Sequence, residues 1–543
     1  MLTLPSERHP FTVPHEDRPK AKPLAKDSEE LVREGLSSVT KGTLFLLVST
    51  LLMVGLTFVS RIIIVRSISK SDWDSFSFGL TLAGVLVSIG SLGLPNAVAR
   101  SLPYASSDDE RRTIVRGALG VGSIAALCGS VALFFFAGPI GNALGSPGIT
   151  LGLRFFPIAV GSGILLNLIA SIFQGYEDVT PNALYLQVVN PALFVAFLGV
   201  SVLVPPLGVN YLEALVAYAL ANAVTLGLIV AYLVRRLPKR LPKGPQAPAA
   251  FPKLMRFAAP LLVVSVMASI AGSGDTLILG IFYPHEVGTY TASLTLARLI
   301  PIGIGAAAYI FLPVASRFVR QGDTPSIGIT YATVTKWMIL VSLPLFLLFF
   351  FLPAASLGFV YSSGYTAIVV PLQITVLGAF ATTVLGPASS AQVAFGETRL
   401  LAANAIAAGL IDVVVAFLLV PTYGYNGAAV AWASANAAYA VMSLVELAFI
   451  TGVHPFRWHY VTPVLVTGVP VGIVLWFLHP SVPLWTLPAI GLGIAFLFLG
   501  VVLVTRSVDE GDRLLLDAVE RLFGRPLPLL RRLGRYALRG SRR

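Results

Sequence analysis

Apolar runs of about 20 residues recur along the whole chain, divided by short polar connections, and each is long enough to cross about 30 Å of hydrocarbon. Fourteen such spans are expected, at 39–64, 75–99, 113–137, 150–174, 181–204, 211–234, 257–282, 287–313, 327–351, 366–394, 399–420, 426–450, 460–478 and 484–505. One polar stretch stands apart from the rest. Residues 235–256 read RRLPKRLPKGPQAPAAFPKLMR, with seven cations, no acid, five prolines and a glycine. That composition predicts an irregular linker between two membrane-embedded halves.

Composition sharpens this pattern. Charged residues are 12% of the 543 and hydrophobic ones 56%, about half the charge a soluble protein of ordinary composition carries. The expectation is an all-α polytopic membrane protein. A net charge of +12 would suggest nucleic acid in a soluble chain, but here the cations cluster in tails and alternate connections. They predict topology and contact with an anionic inner leaflet, and no nucleic-acid partner. The single cysteine, Cys128, lies in an apolar span and excludes an intramolecular disulfide. The first forty residues lack the early apolar core of a cleavable signal.

Connections 138–149, 205–210, 283–286, 352–365, 421–426 and 479–483 carry no Lys or Arg, whereas the alternate ones carry Arg111, Arg112 and Arg116, the linker, Arg317 and Arg320, Arg399, and Arg457. The tail after 505 adds ten arginines. The positive-inside rule then puts both termini in the cytoplasm of a plasma-membrane protein. Two connections fit less well: 175–180 has Glu177 and Asp178 without a cation, and 65–74 holds Arg66 and Lys70. Residues 1–36, with seven acids, six cations and five prolines, predict a disordered tail. At the other end, Leu514, Ala518, Val519, Leu522 and Phe523 recur at helical spacing. They suggest either an amphipathic helix on the inner leaflet or a solubilising tail.

The two halves repeat. The segment Ala214-Leu-Val-Ala-Tyr-Ala-Leu-Ala-Asn222-Ala223 aligns with Ala428-Ala-Val-Ala-Trp-Ala-Ser-Ala-Asn436-Ala437, identical at seven of ten positions with an offset of 214. The same offset pairs Asp72 with Glu286 and Phe76 with Tyr290, and a shift to 221 pairs Gly175 with Gly396. An even number of spans per unit makes the repeats parallel. The expected organisation is a tail at 1–36, a six-helix lobe at 37–235, a linker at 236–252, a second six-helix lobe at 253–451, helices 13 and 14 at 452–506, and an amphipathic, basic tail at 507–543. Two parallel bundles on a linker describe an alternating-access machine with a cleft between its lobes.

A set of short motifs adds a family resemblance. Lys41-Gly42 opens span one, Arg66-Ser-Ile-Ser-Lys-Ser-Asp72-Trp73 leads into span two, and Gly93-Leu-Pro-Asn-Ala-Val-Ala-Arg100 closes it. Phe257-Ala-Ala-Pro260, Asp275, Glu286-Val-Gly288-Thr-Tyr290, Leu312-Pro313 and Tyr423-Gly424-Tyr-Asn-Gly427-Ala-Ala follow in order. In these the chain, over about 36–505, resembles the multidrug/oligosaccharidyl-lipid/polysaccharide (MOP) flippase superfamily, in its fourteen-span polysaccharide-transporter branch. One departure is Asp74, where the family usually has glycine, as this chain does at Gly288; that glycine is expected to ease the start of the helix. The resemblance implies a MATE-like fold. It also implies that a lipid-linked oligosaccharide, on a polyprenyl phosphate or pyrophosphate, moves from the inner to the outer leaflet for polysaccharide or surface-glycoconjugate assembly. Glycosyltransferases before it and a polymerase or oligosaccharyltransferase after it are the implied partners, and a monomer is expected.

Such cargo calls for cations in the cleft. The spans supply Arg298, Arg61, Arg154 and Lys336 as candidate substrate-binding residues, and Asp275 and Asp412 as candidates for a gate or for ion coupling, with Glu446 as an interface residue. A charge at mid-bilayer costs about 2.5–3.5 kcal/mol on insertion scales, so each needs a partner or water. For Arg298 the bland alternative is an ion pair with Asp275. For Arg61 and Lys336 it is snorkelling, and for Asp412 pairing with a neighbouring helix. Arg61 and Asp275 occupy repeat-equivalent positions, offset 214. Arg100, Asn96 and Gln174 are expected first at helix ends or in packing and second in the cleft, and Asn222 and Asn436 as glue between helices.

Asp72-Trp73-Asp74 is an acid-x-acid motif of the kind that holds Mg or Mn in polyprenyl-sugar-dependent glycosyltransferases, but the outer connections are too short for a catalytic domain. The six histidines show no metal-ligand spacing and no Gly-Lys-Ser/Thr loop exists. Neither an enzyme nor a cofactor is expected. The nearer alternatives are a lipid II-type flippase and a cation-coupled drug exporter of the same superfamily. The lack of a deep acid in spans one to five speaks against the exporter.

Overall fold

A computed structural model describes residues 26–203, 209–240, 247–248, 250–361, 363–456, 458–478 and 483–505. The first lobe comprises α1 (Lys26–Ser67), α2 (Lys70–Gly90), α3 (Leu94–Ser101), α4 (Asp108–Ala143), α5 (Pro147–Gly175), a π-helical stretch (Pro181–Val189) running into α6 (Asn190–Leu203), and α7 (Tyr211–Arg240). The second comprises α8 (Ala250–Ala271), α9 (Gly274–Phe282), α10 (Val287–Ala297), α11 (Ile302–Gln321), α12 (Thr324–Phe351), α13 (Pro353–Val360), α14 (Val369–Leu385), α15 (Ala388–Phe395), α16 (Thr398–Tyr423) and α17 (Tyr425–Thr451). Two further helices, α18 (Trp458–Leu478) and α19 (Leu487–Val504), pack on α12. The protein is a multi-pass, all-helical membrane protein of two lobes and an appended pair.

The order of elements repeats between the lobes. Helix α1 answers to α8 with α9, α2 to α10, α4 to α12, α5 to α14 with α15, α6 to α16 and α7 to α17. The first lobe is centred on aromatics: Tyr218 of α7 meets Phe76, Phe156 and Phe194 with ring centroids 6.0, 5.7 and 5.2 Å away. Such tilted and edge-on pairs add to the area they bury.

Four expected spans are broken, the second span at 91–93, between α2 and α3. Among the described residues, twelve helices are long and apolar enough to cross a membrane, thirteen if α14 and α15 count as one span bent by 40°. The expected crossing at 287–313 divides into α10 and α11 at a turn over 298–301, where Pro301 has no N–H to continue the ladder. The seventh breaks at Gly272-Ser273. The tenth breaks at Gly386, whose φ of +74° is open chiefly to glycine, followed by Pro387.

Both margins of the linker are helical where an irregular chain was expected. Helix α7 runs through Pro238 to Arg240, and α8 opens at Ala250 with Pro252 in its first turn, where a missing N–H is tolerated. Helix α1 likewise begins at Lys26, within the expected tail. The expected amphipathic helix around 514–523 and Arg457 lie outside the described residues.

Candidate functional site

The lobes meet along α2 and α10, and they meet on equivalent residues. Asp74 and Gly288 differ by the repeat offset of 214, and they touch each other. The buried Asp74 carboxylate accepts from the N–H of Gly288 at 2.7 Å and of Thr289 at 3.3 Å, capping the other lobe's helix. Trp73 Nε1 donates to the Gly288 carbonyl at 2.6 Å. A Cβ on Gly288 would lie 2.6 Å from the Asp74 nitrogen, so glycine is what lets the helices cross this closely. Asp74 therefore joins the lobes, where only a helix-start role was expected of that position. Arg66 extends the contact, donating to the carbonyls of Val360 at 2.9 Å and Phe359 at 2.5 Å. Burial pushes the nearby Glu286 carboxyl above the ordinary glutamate range.

One step further along the same two helices a chamber of about 190 Å³ opens between the lobes. Its lining comes in repeat-equivalent pairs: Ser77 with Thr291, Leu80 with Leu294, and Gly84 with Arg298, each 214 apart. The chamber thus lies on the axis relating the lobes. Arg61 enters from α1 and donates to Thr295 Oγ1 at 3.0 Å. Arg298 stands at the break between α10 and α11 and donates to the Gly272 carbonyl at 2.7 Å, at the break between α8 and α9. Two interrupted helices therefore meet at one guanidinium, as irregular backbone at membrane depth does where it lines a cavity. The chamber can hold an anion between guanidinium groups from opposite lobes.

The expected acids sit together elsewhere. Asp275 and Asp412 are both buried inside the second lobe. Asp412 Oδ2 accepts from the Asp275 N–H at 2.9 Å, and Asp275 Oδ2 accepts from the Tyr290 hydroxyl. The other oxygen of each carboxylate has no partner among the described residues. Ion pairs among those residues are confined to Arg111–Asp108 and Arg112–Asp109 in α4, so Arg298 forms none with Asp275.

The remaining candidates lie outside the chamber. Arg154 is exposed in the second turn of α5, and Lys336 is buried in α12 with its ammonium 5.9 Å from the Trp337 ring centroid. Glu446 proves to be interior glue, accepting from Gln392 at 2.7 Å and Asn404 at 2.8 Å. Asp72 is engaged by Ser69 at 2.7 Å while Asp74 caps α10, so the two acids of the acid-x-acid motif serve different partners. Arg100 lies over the Phe257 ring at 4.8 Å, a helix-end contact across the lobes.

What sequence reasoning missed is the pairing across the axis and the breaks. The signals were present in Gly272-Ser273-Gly274, in Pro301, and in the 214 offset taken from α2 onward. An apolar groove of about 540 Å³ lies between α12, α14 and α18, lined by residues such as Phe346, Phe380, Val469 and Trp476.

Solved structures share this architecture. A lipid II flippase MurJ in an inward closed conformation superposes with a TM-score of 0.67 at 14% identity, covering 84% of this chain and 97% of its own. An inward-facing MATE family multidrug resistance transporter of the MOP superfamily gives 0.58 at 15% identity, over 76% of this chain and 98% of its own. A MOP superfamily transporter from Pyrococcus furiosus gives 0.52 at 15% identity, over 76% and 95%. At such identities the likeness is one of fold. No curated protein matches by sequence. The sequence profile of the polysaccharide biosynthesis protein family matches residues 39–319, just over half of the chain. The chain belongs to that family.

Proposed function

We propose that the protein flips a lipid-linked oligosaccharide from the inner to the outer leaflet, the two lobes rocking about the axis that passes through the chamber. The observation that carries this reading is the convergence of Arg61 and Arg298, from opposite lobes, on one chamber. A polyprenyl phosphate or diphosphate needs such a site, and both arginines separate when the lobes do. The apolar groove beside α18 supports a cargo with a long hydrocarbon chain. A lipid II-type cargo is the second reading, favoured by the fold likeness that covers 84% of the chain.

Sidedness follows the cations. Arg111 and Arg112 at the start of α4, Arg235 and Arg236 at the end of α7, and Arg317 and Arg320 at the end of α11 lie toward the linker, which we assign to the cytoplasm with both termini. The Asp275–Asp412 pair, held by Tyr290, is our candidate for coupling to Na⁺ or H⁺. Upstream glycosyltransferases, a downstream polymerase or oligosaccharyltransferase and a monomeric state remain part of the proposal, with Arg154 and Lys336 as secondary cations.

The test is transfer of a fluorescent polyprenyl diphosphate glycan in proteoliposomes, timed by its access to an external lectin. Arg61→Ala and Arg298→Ala should each slow transfer at least about tenfold, a loss of about 1.4 kcal/mol. Asp275→Asn should abolish any Na⁺ or H⁺ dependence. No transfer of any polyprenyl-linked glycan by the wild type would remove the reading.

A further inference from the structure

A second chamber, of about 240 Å³, lies closer to the linker end of the same cleft and carries no charged side chain. Neutral hydrogen-bonding groups line it: Ser88 of α2, Asn96 of α3, Asn167 and Gln174 of α5, Asn182 of the π-helical stretch and Ser265 of α8. It continues the cationic chamber along one stripe. On α2, Ser77, Thr81 and Gly84 line the first chamber and Ser88, with Ser91 just past the end of the helix, the second; on α8, Ser269 lines the first and Ser265, one turn away, the second. Thr81 to Ser88 is two turns, roughly 10 Å.

The amides are available. Asn167 donates only to the Gly163 carbonyl of its own helix, at 2.9 Å, and Asn96 reaches Ser265 Oγ at 3.4 Å. The side chains of Gln174 and Asn182 make no hydrogen bond among the described residues. An exposed amide in mid-span would be costly against lipid, but these open into the chamber. Asn96 and Gln174, expected first in packing and second in the cleft, line this chamber.

Resting on the flippase reading, we infer that this chamber is a subsite for the uncharged, hydroxyl- or acetamido-bearing sugars nearest the phosphate of the cargo. Amides and hydroxyls each donate and accept, as sugar hydroxyls do, so one lining satisfies several sugar stereochemistries. A uronate or other acidic sugar would be stripped of water here with no cation to receive it. The division of labour is phosphate on the arginines and neutral sugar on the amides.

The experiment uses the full chain in nanodiscs and three probes: a short polyprenyl diphosphate, the same carrier bearing N-acetylglucosamine, and the same carrier bearing glucuronate. The wild type should bind the N-acetylglucosamine carrier at least about tenfold more tightly than the bare one, and the glucuronate carrier no more tightly than the bare one. The double variant Asn167→Ala, Gln174→Ala should lose that preference while keeping its affinity for the bare carrier, which also certifies its fold. Ser88→Leu, which fills the chamber without removing an amide, should do the same. Arg298→Ala should weaken all three probes together. Equal wild-type affinity for sugared and bare carriers, tighter binding of glucuronate, or a preference that survives both variants would overturn the subsite and leave the flippase standing. Failure of the wild type to bind any polyprenyl diphosphate would sink both.

Discussion

The two lobes share one frame and use it oppositely. At equivalent positions the first lobe has Arg61, Asp74, Phe76 and Gly84 where the second has Asp275, Gly288, Tyr290 and Arg298. Phe76 packs into an aromatic cluster, whereas the Tyr290 hydroxyl holds a buried carboxylate. The first lobe's spans α1 and α5 are continuous where their counterparts are broken, while the second span breaks at 91–93 much as its counterpart breaks at 298–301. Its own irregular elements, the break at 91–93 and the π-helical stretch, line the neutral chamber, while two breaks of the second lobe, at Ser273 and Arg298, line the cationic one. The repeat sets the position of the cationic chamber, and divergence at its equivalent positions sets its chemistry.

The strongest way to break this comparison is to exchange Gly84 and Arg298. A Cβ at Gly84 meets nothing within 4 Å, so Gly84→Arg fits sterically and places a third guanidinium in the chamber. Transport should fall about a hundredfold, about 2.7 kcal/mol in the barrier, with the fold intact. Adding Arg298→Gly moves the cation to the equivalent place on the other lobe. Recovery to within about tenfold of wild type, in the same lectin-access assay, would mean that the chamber reads charge alone. Recovery no better than Arg298→Ala would mean that the bond from Arg298 to the Gly272 carbonyl, which Gly84 has no counterpart for, is itself required.

The cap of Asp74 on α10 is the next largest effect. Removing a charged acceptor from two N–H groups costs about 1.5–3 kcal/mol, so Asp74→Ala should move the lobes toward opening at the Trp73 end by roughly tenfold to a hundredfold. In a Cys128→Ser background, labelling of Ser77→Cys by an impermeant maleimide from that side reads the shift. Asp74→Asn retains an acceptor and should label much more slowly than Asp74→Ala. Equal labelling of wild type and Asp74→Ala would make the cap a local helix device with no part in the gate.

Much of this was legible in the sequence. Hydrophobic runs gave the helices, and the Asn222 and Asn436 segments gave the repeat. Arg61, Arg298, Asp275 and Asp412 stood out because charge at membrane depth demands a partner. Their grouping did not follow, because insertion cost says nothing of which helix faces which: Arg298 went with Arg61, and Asp275 with Asp412. The breaks were hidden by averaging, since a window of 20 residues stays apolar across Pro301 or Gly386. Neutral amides such as Asn167 escaped notice because an in-span asparagine more often joins helices than faces a cavity.

Asn222 and Asn436 themselves provide the smallest and most controlled comparison, equivalent residues in near-identical segments. Asn222 donates to the Tyr218 carbonyl at 2.8 Å and also accepts from Asn190 of α6 at 3.4 Å, beside a further contact of Asn190 with Thr225 at 3.4 Å. Asn436 donates to the Trp432 carbonyl of its own helix at 2.9 Å, and among the described residues it has no bond to another helix. Hydrogen bonds between membrane helices average about 0.6 kcal/mol. Asn222→Ala should therefore lower stability in detergent by about that amount, and Asn436→Ala by a few tenths at most. A double-mutant cycle with Asn190→Ala separates the shared bond from the rest, the expected coupling to Asn222 being about 0.5 kcal/mol. Equal losses at both asparagines, with no coupling to Asn190, would show that the first lobe gains nothing from its amide pair. The two bundles would then be held by packing alone.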